Sequence, residues 1–265
     1  MTAGRVLLAS SGVVAASAAI AHVLPAATTW LELRCRLTPS LAGIGRPDHV
    51  ALTFDDGPDP ISTPVFLDEL DRLGWRATFF LLGSMVRSVP SLAAEIAARG
   101  HEVAVHGDRH RSHLRLTAFS IRNDVARGKD LIAAATGREP IWFRPPYGTL
   151  SGGSLTVASW LGLRTVLWTT WGRDWRPEAT AATVAADVAD GLRAGATVLL
   201  HDSDCTSAPG SWRAGAGSLS LLAELFAARG LGVGPLGEHG IPGRLSGDHG
   251  IPGRISGPFS PGAPL

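Results

Sequence analysis

Between residues 50 and 236, short apolar runs alternate with amphipathic helical stretches, and this alternation narrows the possible folds most. Val50–Phe54, Ala77–Leu82, Glu102–Val105, Ile141–Phe143, Thr165–Trp168 and Ala196–Leu200 read as strands, with Gly232–Leu236 as a weak last one. Thr63–Leu73, Ser91–Arg99, Ile121–Ala135, Leu155–Leu161, Ala179–Leu192 and Leu219–Ala228 read as helices, three of them closed by Gly100, Gly137 and Gly162. Such a pattern argues an α/β fold, with a parallel sheet covered by helices and closed or nearly closed. The 265 residues suffice for one such domain, and 45% hydrophobic content supplies its core.

The flanks differ in character. Arg5 precedes an uncharged run, Val6 to Leu24, long for a signal-peptide core and just long enough to span a bilayer. Residues 1–30 are therefore expected to be a signal peptide or an N-terminal membrane anchor, and the protein to be exported. Residues 31–47 are expected to be a linker and 48–236 the folded domain. In 237–265, Glu238–Gly247 (EHGIPGRLSG) recurs as Asp248–Gly257 (DHGIPGRISG), a Gly/Pro-rich repeat expected to be a flexible tail. A net charge of +1 without any Lys/Arg run argues against a nucleic-acid partner. Cys35 and Cys205 allow one disulfide in an exported protein, or two free thiols.

Polar residues gather where strands end, the place where α/β folds build their sites. The first strand runs into Asp55–Asp56–Gly57–Pro58. Adjacent carboxylates repel, and a bound cation lets one act as ligand while its neighbour stays free as a base. A solvated turn is the plain alternative for this tetrapeptide alone. After the third strand, His106 and His110 stand four apart and share a face if the turn is helical. With Asp56 they make a two-His, one-carboxylate set, a catalytic rather than structural metal composition. Gly107 occupies the place where metalloproteases carry a Glu base, so the base must come from elsewhere, and Asp55 is the candidate. His113 reads as a packing or surface residue.

Arg144–Pro145–Pro146–Tyr147–Gly148 follows the fourth strand. Arg144 could hold a carboxylate in a bidentate pair, and the prolines leave the Tyr147 N–H as a donor for an anionic oxygen. Trp171–Trp175 follows the fifth strand. His201, at the end of the sixth, is a candidate general acid, with a hydrogen-bonded loop histidine as the alternative.

Taken together, TFDDGP, HxxxH, RPPYG, a DW pair and LLHD, in this order, resemble the NodB-homology polysaccharide deacetylases, carbohydrate esterase family four. The resemblance covers about residues 48–236. It implies a distorted, incomplete (β/α) barrel with parallel strands, one divalent metal ion (zinc first, with cobalt, nickel or manganese as alternatives) and removal of acetyl groups from polysaccharides. It implies Asp55 as base, Asp56, His106 and His110 as metal ligands, and Arg144 as the residue orienting Asp55. Tyr147 N–H would help hold the oxyanion, and Asp174 would orient the acid His201. Trp175 and Leu199 would line the pocket for the acetyl methyl.

Two positions depart from the family pattern. Gly107 stands where Ser or Thr is usual, and Trp171 where Asp is usual. Trp171 is expected to narrow the groove or stack on a sugar ring. The expected partner is an acetylated glycan, N-acetylated before O-acetylated, with possible membrane anchoring through residues 6–24. The competing readings are an amidohydrolase of a small non-sugar amide and a catalytically silent glycan binder on the same scaffold.

Overall fold

The computed structural model describes Ser17 and residues 19–242. Most of the apolar N-terminal run and the second copy of the C-terminal repeat lie outside the described residues. Among those described, no helix is long and apolar enough to cross a membrane.

Eight strands form one sheet: β1 (His49–Asp55), β2 (Thr78–Leu81), β3 (Glu102–Val105), β4 (Trp142–Phe143), β5 (Arg164–Thr165), β6 (Thr170–Trp171), β7 (Thr197–His201) and β8 (Gly232–Gly234). Their order is β5-β4-β3-β2-β1-β7-β6, with β8 also beside β1, and every pairing is parallel. Helices connect every consecutive pair of strands except β5 and β6, as parallel crossovers require. The sheet curls into the incomplete barrel expected from the sequence, with β1 buried at all seven positions near its middle.

Strand alternation divides the residues between two environments. Val50, Leu52 and Phe54 pack outward with Phe79, Leu81, Val103, Val105, Val198 and Leu200 against the helices. Phe54 meets Phe66 edge-on at 5.1 Å, from helix α3 (Thr63–Leu73), which Gly74 caps at φ +67°. The other parity packs in separate clusters, with Ala51, Phe80 and Ala104 in one and Leu199 in another. Asp55, His106 and His201 fall on this second parity at the C-terminal strand ends.

Several boundaries differ from expectation. Of the stretch read as one strand, Thr165–Trp168, only Thr165 lies in a strand, β5 beside β4; the chain then crosses between the sheet edges and joins β7 as β6 at Thr170–Trp171. It spans the open seam of the barrel, so its apolar run is buried without being one strand. The last long helix begins at Trp212 rather than Leu219, and a helix at Gly83–Ser88 stands where none was expected.

Residues 31–47 are not a bare linker. Helices α1 (Leu31–Leu37) and α2 (Pro39–Ala42) lie along the seam. Leu167 N–H donates to Leu41 O at 2.7 Å, Thr197 Oγ1 to Gly43 O at 2.6 Å and Gly45 N–H to Gly195 O at 3.1 Å. At the other end, the first residues of the tail also pack. His239 is fully buried, its Nδ1 lying 2.8 Å from His49 Nδ1, and Ile241 joins the cluster around Ala51 and Phe80. The flexible tail expected from residue 237 thus has a seated start, because one histidine and one isoleucine find partners the composition did not reveal. Cys35 is buried in α1 and Cys205 lies by Asp56, so both cysteines are free and the disulfide alternative does not form.

Candidate active site

Asp55 ends β1, in register with His201 of β7 on one side and Phe80 of β2 on the other. Asp56 follows with φ at +80°, a left-handed conformation that turns its carboxylate out of the strand direction at a cost of about 1–3 kcal/mol. Gly57 is required next. A Cβ there would fall 2.1 Å from Asp202 Oδ2, a buried carboxylate that accepts from Thr63 Oγ1 at 2.5 Å. Burial, followed by the charges of Asp56 and Asp55, pushes Asp202 up to about 7.

The two carboxylates have different neighbours. Asp55 Oδ1 accepts from Arg144 Nη1 at 2.7 Å, and the same nitrogen lies 2.9 Å from Thr53 Oγ1. Arg144 is fully buried and stacks over Phe80 at 4.0 Å. Asp56 Oδ2 accepts from Thr206 Oγ1 at 2.6 Å, but its buried Oδ1 has no hydrogen-bond partner. That oxygen lies 3.4 Å from His106 Nε2 and 3.5 Å from His110 Nε2.

His106 is oriented by a 2.8 Å hydrogen bond from its Nδ1 to Arg144 O, so its Nε2 faces Asp56. Burial, with the neighbouring His106, pushes His110 down to about 4, which leaves it a neutral imidazole at pH 7. Burial opposes ionisation of Asp56, but His106, His201 and His110 outweigh it and hold Asp56 well below the usual carboxylate range. The ligand atoms of Asp56, His106 and His110 all lie within 4.8 Å of one another.

His201 Nδ1 lies 2.8 Å from Asp174 Oδ1, and the His201 backbone N–H donates to Asp174 Oδ2 at 2.7 Å. Burial disfavours the imidazolium, yet Asp174, then Asp56 and Asp55, overcome it and raise His201 to about 9.

A cavity of about 320 Å³ opens over these groups. Asp55, Asp56, His106, His110, Tyr147, Trp175, Leu199 and His201, all named from the sequence, line it. Arg144 and Asp174 are buried behind Asp55 and His201. Tyr147 is 61% exposed at the rim and takes φ +61°, its ring edge-on to His110 at 4.3 Å. His113 is fully buried, bonded to Ser154 and stacked on Phe143. It is a packing residue.

Three lining residues were not foreseen. Trp168 was assigned to a strand, and Thr206 and Ser207 sit in the loop after His201. Only their distance from LLHD could have drawn attention to the last two. The departure at Gly107 has a local reason. Its φ is +96°, and a Cβ there would fall 2.6 Å from Asp124 Oδ2. Asp124 accepts from Asp108 N–H at 3.0 Å and from Arg111 at 2.7 Å, bracing the turn from His106 to His110.

The sequence profile described as polysaccharide deacetylase matches residues 42–166. The chain is 36% identical over 155 residues to a peptidoglycan-N-acetylglucosamine deacetylase of Bacillus cereus, covering 58% of this chain and 72% of that protein. It is 35% identical over 199 residues to a chitooligosaccharide deacetylase of Bradyrhizobium sp., covering 71% of this chain and 88% of that one. The crystal structure of the Bc1960 peptidoglycan N-acetylglucosamine deacetylase superimposes with a TM-score of 0.70 at 27% identity, over 76% of this chain and 92% of that one. Identity at this level along most of a relative's length, on the same curled parallel sheet, places this chain among the NodB-homology polysaccharide deacetylases of carbohydrate esterase family four, and it is a deacetylase.

Proposed function

We propose that this protein is a metal-dependent hydrolase that removes N-acetyl groups from a cell-envelope or extracellular polysaccharide. One observation carries the reading. The unpartnered, buried Asp56 Oδ1 faces two imidazole nitrogens at 3.4 and 3.5 Å, flanked by the Asp55–Arg144 and His201–Asp174 pairs.

The residues fit a divalent ion. A buried acceptor without a donor is costly. Ligands about 2.0–2.1 Å from a tetrahedral ion stand about 3.4 Å apart, close to the 3.4 and 3.5 Å from Asp56 Oδ1 to the two histidines. Asp56, His106 and His110 would hold the ion, zinc first, with room beside it for water and substrate. When bound it supplies Lewis acidity toward the acetyl carbonyl and makes a nearby water easier to deprotonate.

The chain's own groups do the rest. Arg144 orients Asp55 through its 2.7 Å hydrogen bond, so that Asp55 accepts the proton of the attacking water. Tyr147 N–H is assigned to the oxyanion that develops on the carbonyl. His201, kept protonated by Asp174, donates to the leaving nitrogen, which departs poorly as an anion. Trp175 and Leu199 enclose the acetyl methyl. Trp171 stands between Trp168 at 5.5 Å and Trp175 at 5.0 Å, an indole wall suited to the face of a sugar ring.

The relatives' substrates, peptidoglycan N-acetylglucosamine and chitooligosaccharide, support an N-acetylated glycan here. The same relatives, with the apolar N-terminal run, support export and action at the envelope. The test is acetate release from N-acetylated chitooligosaccharide and peptidoglycan by protein stripped of metal and reloaded with zinc, cobalt, nickel or manganese. Activity that survives stripping, or acts only on small non-sugar amides, overturns the reading.

A further inference from the structure

Arg34 reaches the site from behind, on a segment that precedes every recognised motif. It is 2% exposed on α1. Nη1 donates to Thr28 O at 2.7 Å and Nη2 to Trp168 O at 2.5 Å. Its guanidinium carbon lies 5.2 Å from the centroid of the Trp168 ring, and that of Arg144 lies 5.7 Å from the same ring.

Three consecutive carbonyls are therefore held by two buried guanidiniums. Arg144 approaches Val166 O at 3.4 Å and Leu167 O at 2.8 Å, while Arg34 takes Trp168 O. This stretch crosses the open seam of the barrel: Val166 N–H still reaches Phe143 O of β4 at 3.0 Å and Thr169 N–H reaches Thr197 O of β7 at 2.9 Å, but between them Leu167 N–H bonds only to Leu41 O and no strand lies beside Trp168. The Trp168 indole faces the cavity and closes on Gly148, where a Cβ would fall 2.3 Å from the ring. Gly148 follows Tyr147, and Arg144 holds Asp55. One indole thus touches the supports of both the base and the oxyanion donor.

Burying a charge is expensive unless it is paired. Among the described residues Arg34 has no carboxylate partner; its charge is met only by two carbonyls and an indole face. An apolar side chain would join α1 to the barrel at lower cost. The arginine is explained by where it holds Trp168.

We propose that Arg34 is a positioning residue for deacetylation, anchoring Trp168 and through it the Arg144–Asp55 pair and the Tyr147–Gly148 turn. The inference rests on Asp55 being the base. The catalytic unit then begins near residue 30, not at 48.

The test uses full-length, zinc-loaded protein and an N-acetylated chitooligosaccharide. Arg34→Met keeps length and removes both donors. It should lower kcat per bound zinc by roughly tenfold to a hundredfold, the scale of a misplaced catalytic group. Zinc stoichiometry should not change, and Arg34→Lys should restore much of the rate. Adding Arg34→Met to Asp55→Asn should lower the residual rate by clearly less than it lowers the parent's, since groups acting as a unit are non-additive. If Arg34→Met does not fold, Arg34→Gln, which keeps one donor, carries the same comparisons. Unchanged kcat per bound zinc, or a loss that multiplies in full on Asp55→Asn, overturns the inference. Full activity of Asp55→Asn alone would instead overturn the reading of the base.

Discussion

Asp55 and Asp56 are adjacent in the chain but face different partners: Asp55 Oδ1 accepts from Arg144 at 2.7 Å, while Asp56 Oδ1 is buried without a donor and faces His106 and His110. A ligand acts through occupancy and a base through proton transfer. Asp56→Ala should therefore lower metal content and activity together, and excess metal should partly restore it. Asp55→Asn should keep the metal and lose rate by roughly 10²–10⁴-fold, with no rescue by metal. Bound metal and acetate release measured on both variants check this. Loss of metal from Asp55→Asn and its retention by Asp56→Ala would reverse the assignment.

The His201–Asp174 pair predicts the alkaline limb of the pH–rate profile. His201 is raised to about 9, and as an acid it works only while protonated. Activity on an N-acetyl substrate should fall as pH rises through about 9. Asp174→Asn removes the carboxylate that holds the proton, so the limb should move toward lower pH. An alkaline limb indifferent to this change would sink the role of His201 as acid.

Stability should depend on three buried histidines away from the metal ligands. Burial pushes His101, His113 and His239 down to about 4 from the usual 6.5. The unfolded chain binds protons first as pH falls, so their contribution is fully present above about 6.5 and is lost progressively toward 4. Urea midpoints across this range should decline with acidification. His113→Phe, which keeps an aromatic ring beside Phe143, should flatten the slope.

The start of the tail should matter to the domain. Truncation before Glu238 removes His239 from its contact with His49 and Gly195 O, and Ile241 from its cluster. Losing a buried Ile side chain alone costs about 2–5 kcal/mol in a core, so the melting temperature should drop by several degrees. Truncation after Pro242 should leave it nearly unchanged. Equal melting temperatures for the two truncations would show that this segment adds nothing.

Trp171 tests the indole wall. Trp171→Ala should raise KM for a chitooligosaccharide about two- to tenfold, the range of one aromatic contact, and leave kcat within a factor of two. A fall in kcat at constant KM would place Trp171 in the chemistry instead.

The motifs were legible because each is local. TFDDGP, HxxxH, RPPYG and LLHD carry their chemistry within a few residues of a strand end, and apolar periodicity marked most elements to within a few residues. Gly107 was visible as a departure, but not its reason, because Gly107 sits in a non-helical loop and Asp124 comes from the helix Ala118–Thr136. Thr206 and Trp168 were not legible as site residues, since they reach the cavity by a loop and by the seam crossing, and Arg34 was not because it lies behind Trp168 on a helix that precedes every motif.

By itself the sequence determined the α/β alternation, the run of carboxylates and histidines, and the parity that separates Phe54 from Asp55 and Val105 from His106. Side-chain alternation is a local property of extended chain, so these can be read without neighbours. The tertiary structure decided what no local property encodes: the parallel register that sets Asp55 opposite His201, and the left-handed turn that aims Asp56 at two histidines fifty or more residues away. It also decided the role of the flanks. A stretch that looks like a linker and the start of a Gly/Pro repeat are held by partners such as Trp168 and His49, and those contacts exist only once the barrel has closed most of the way and left a seam to fill.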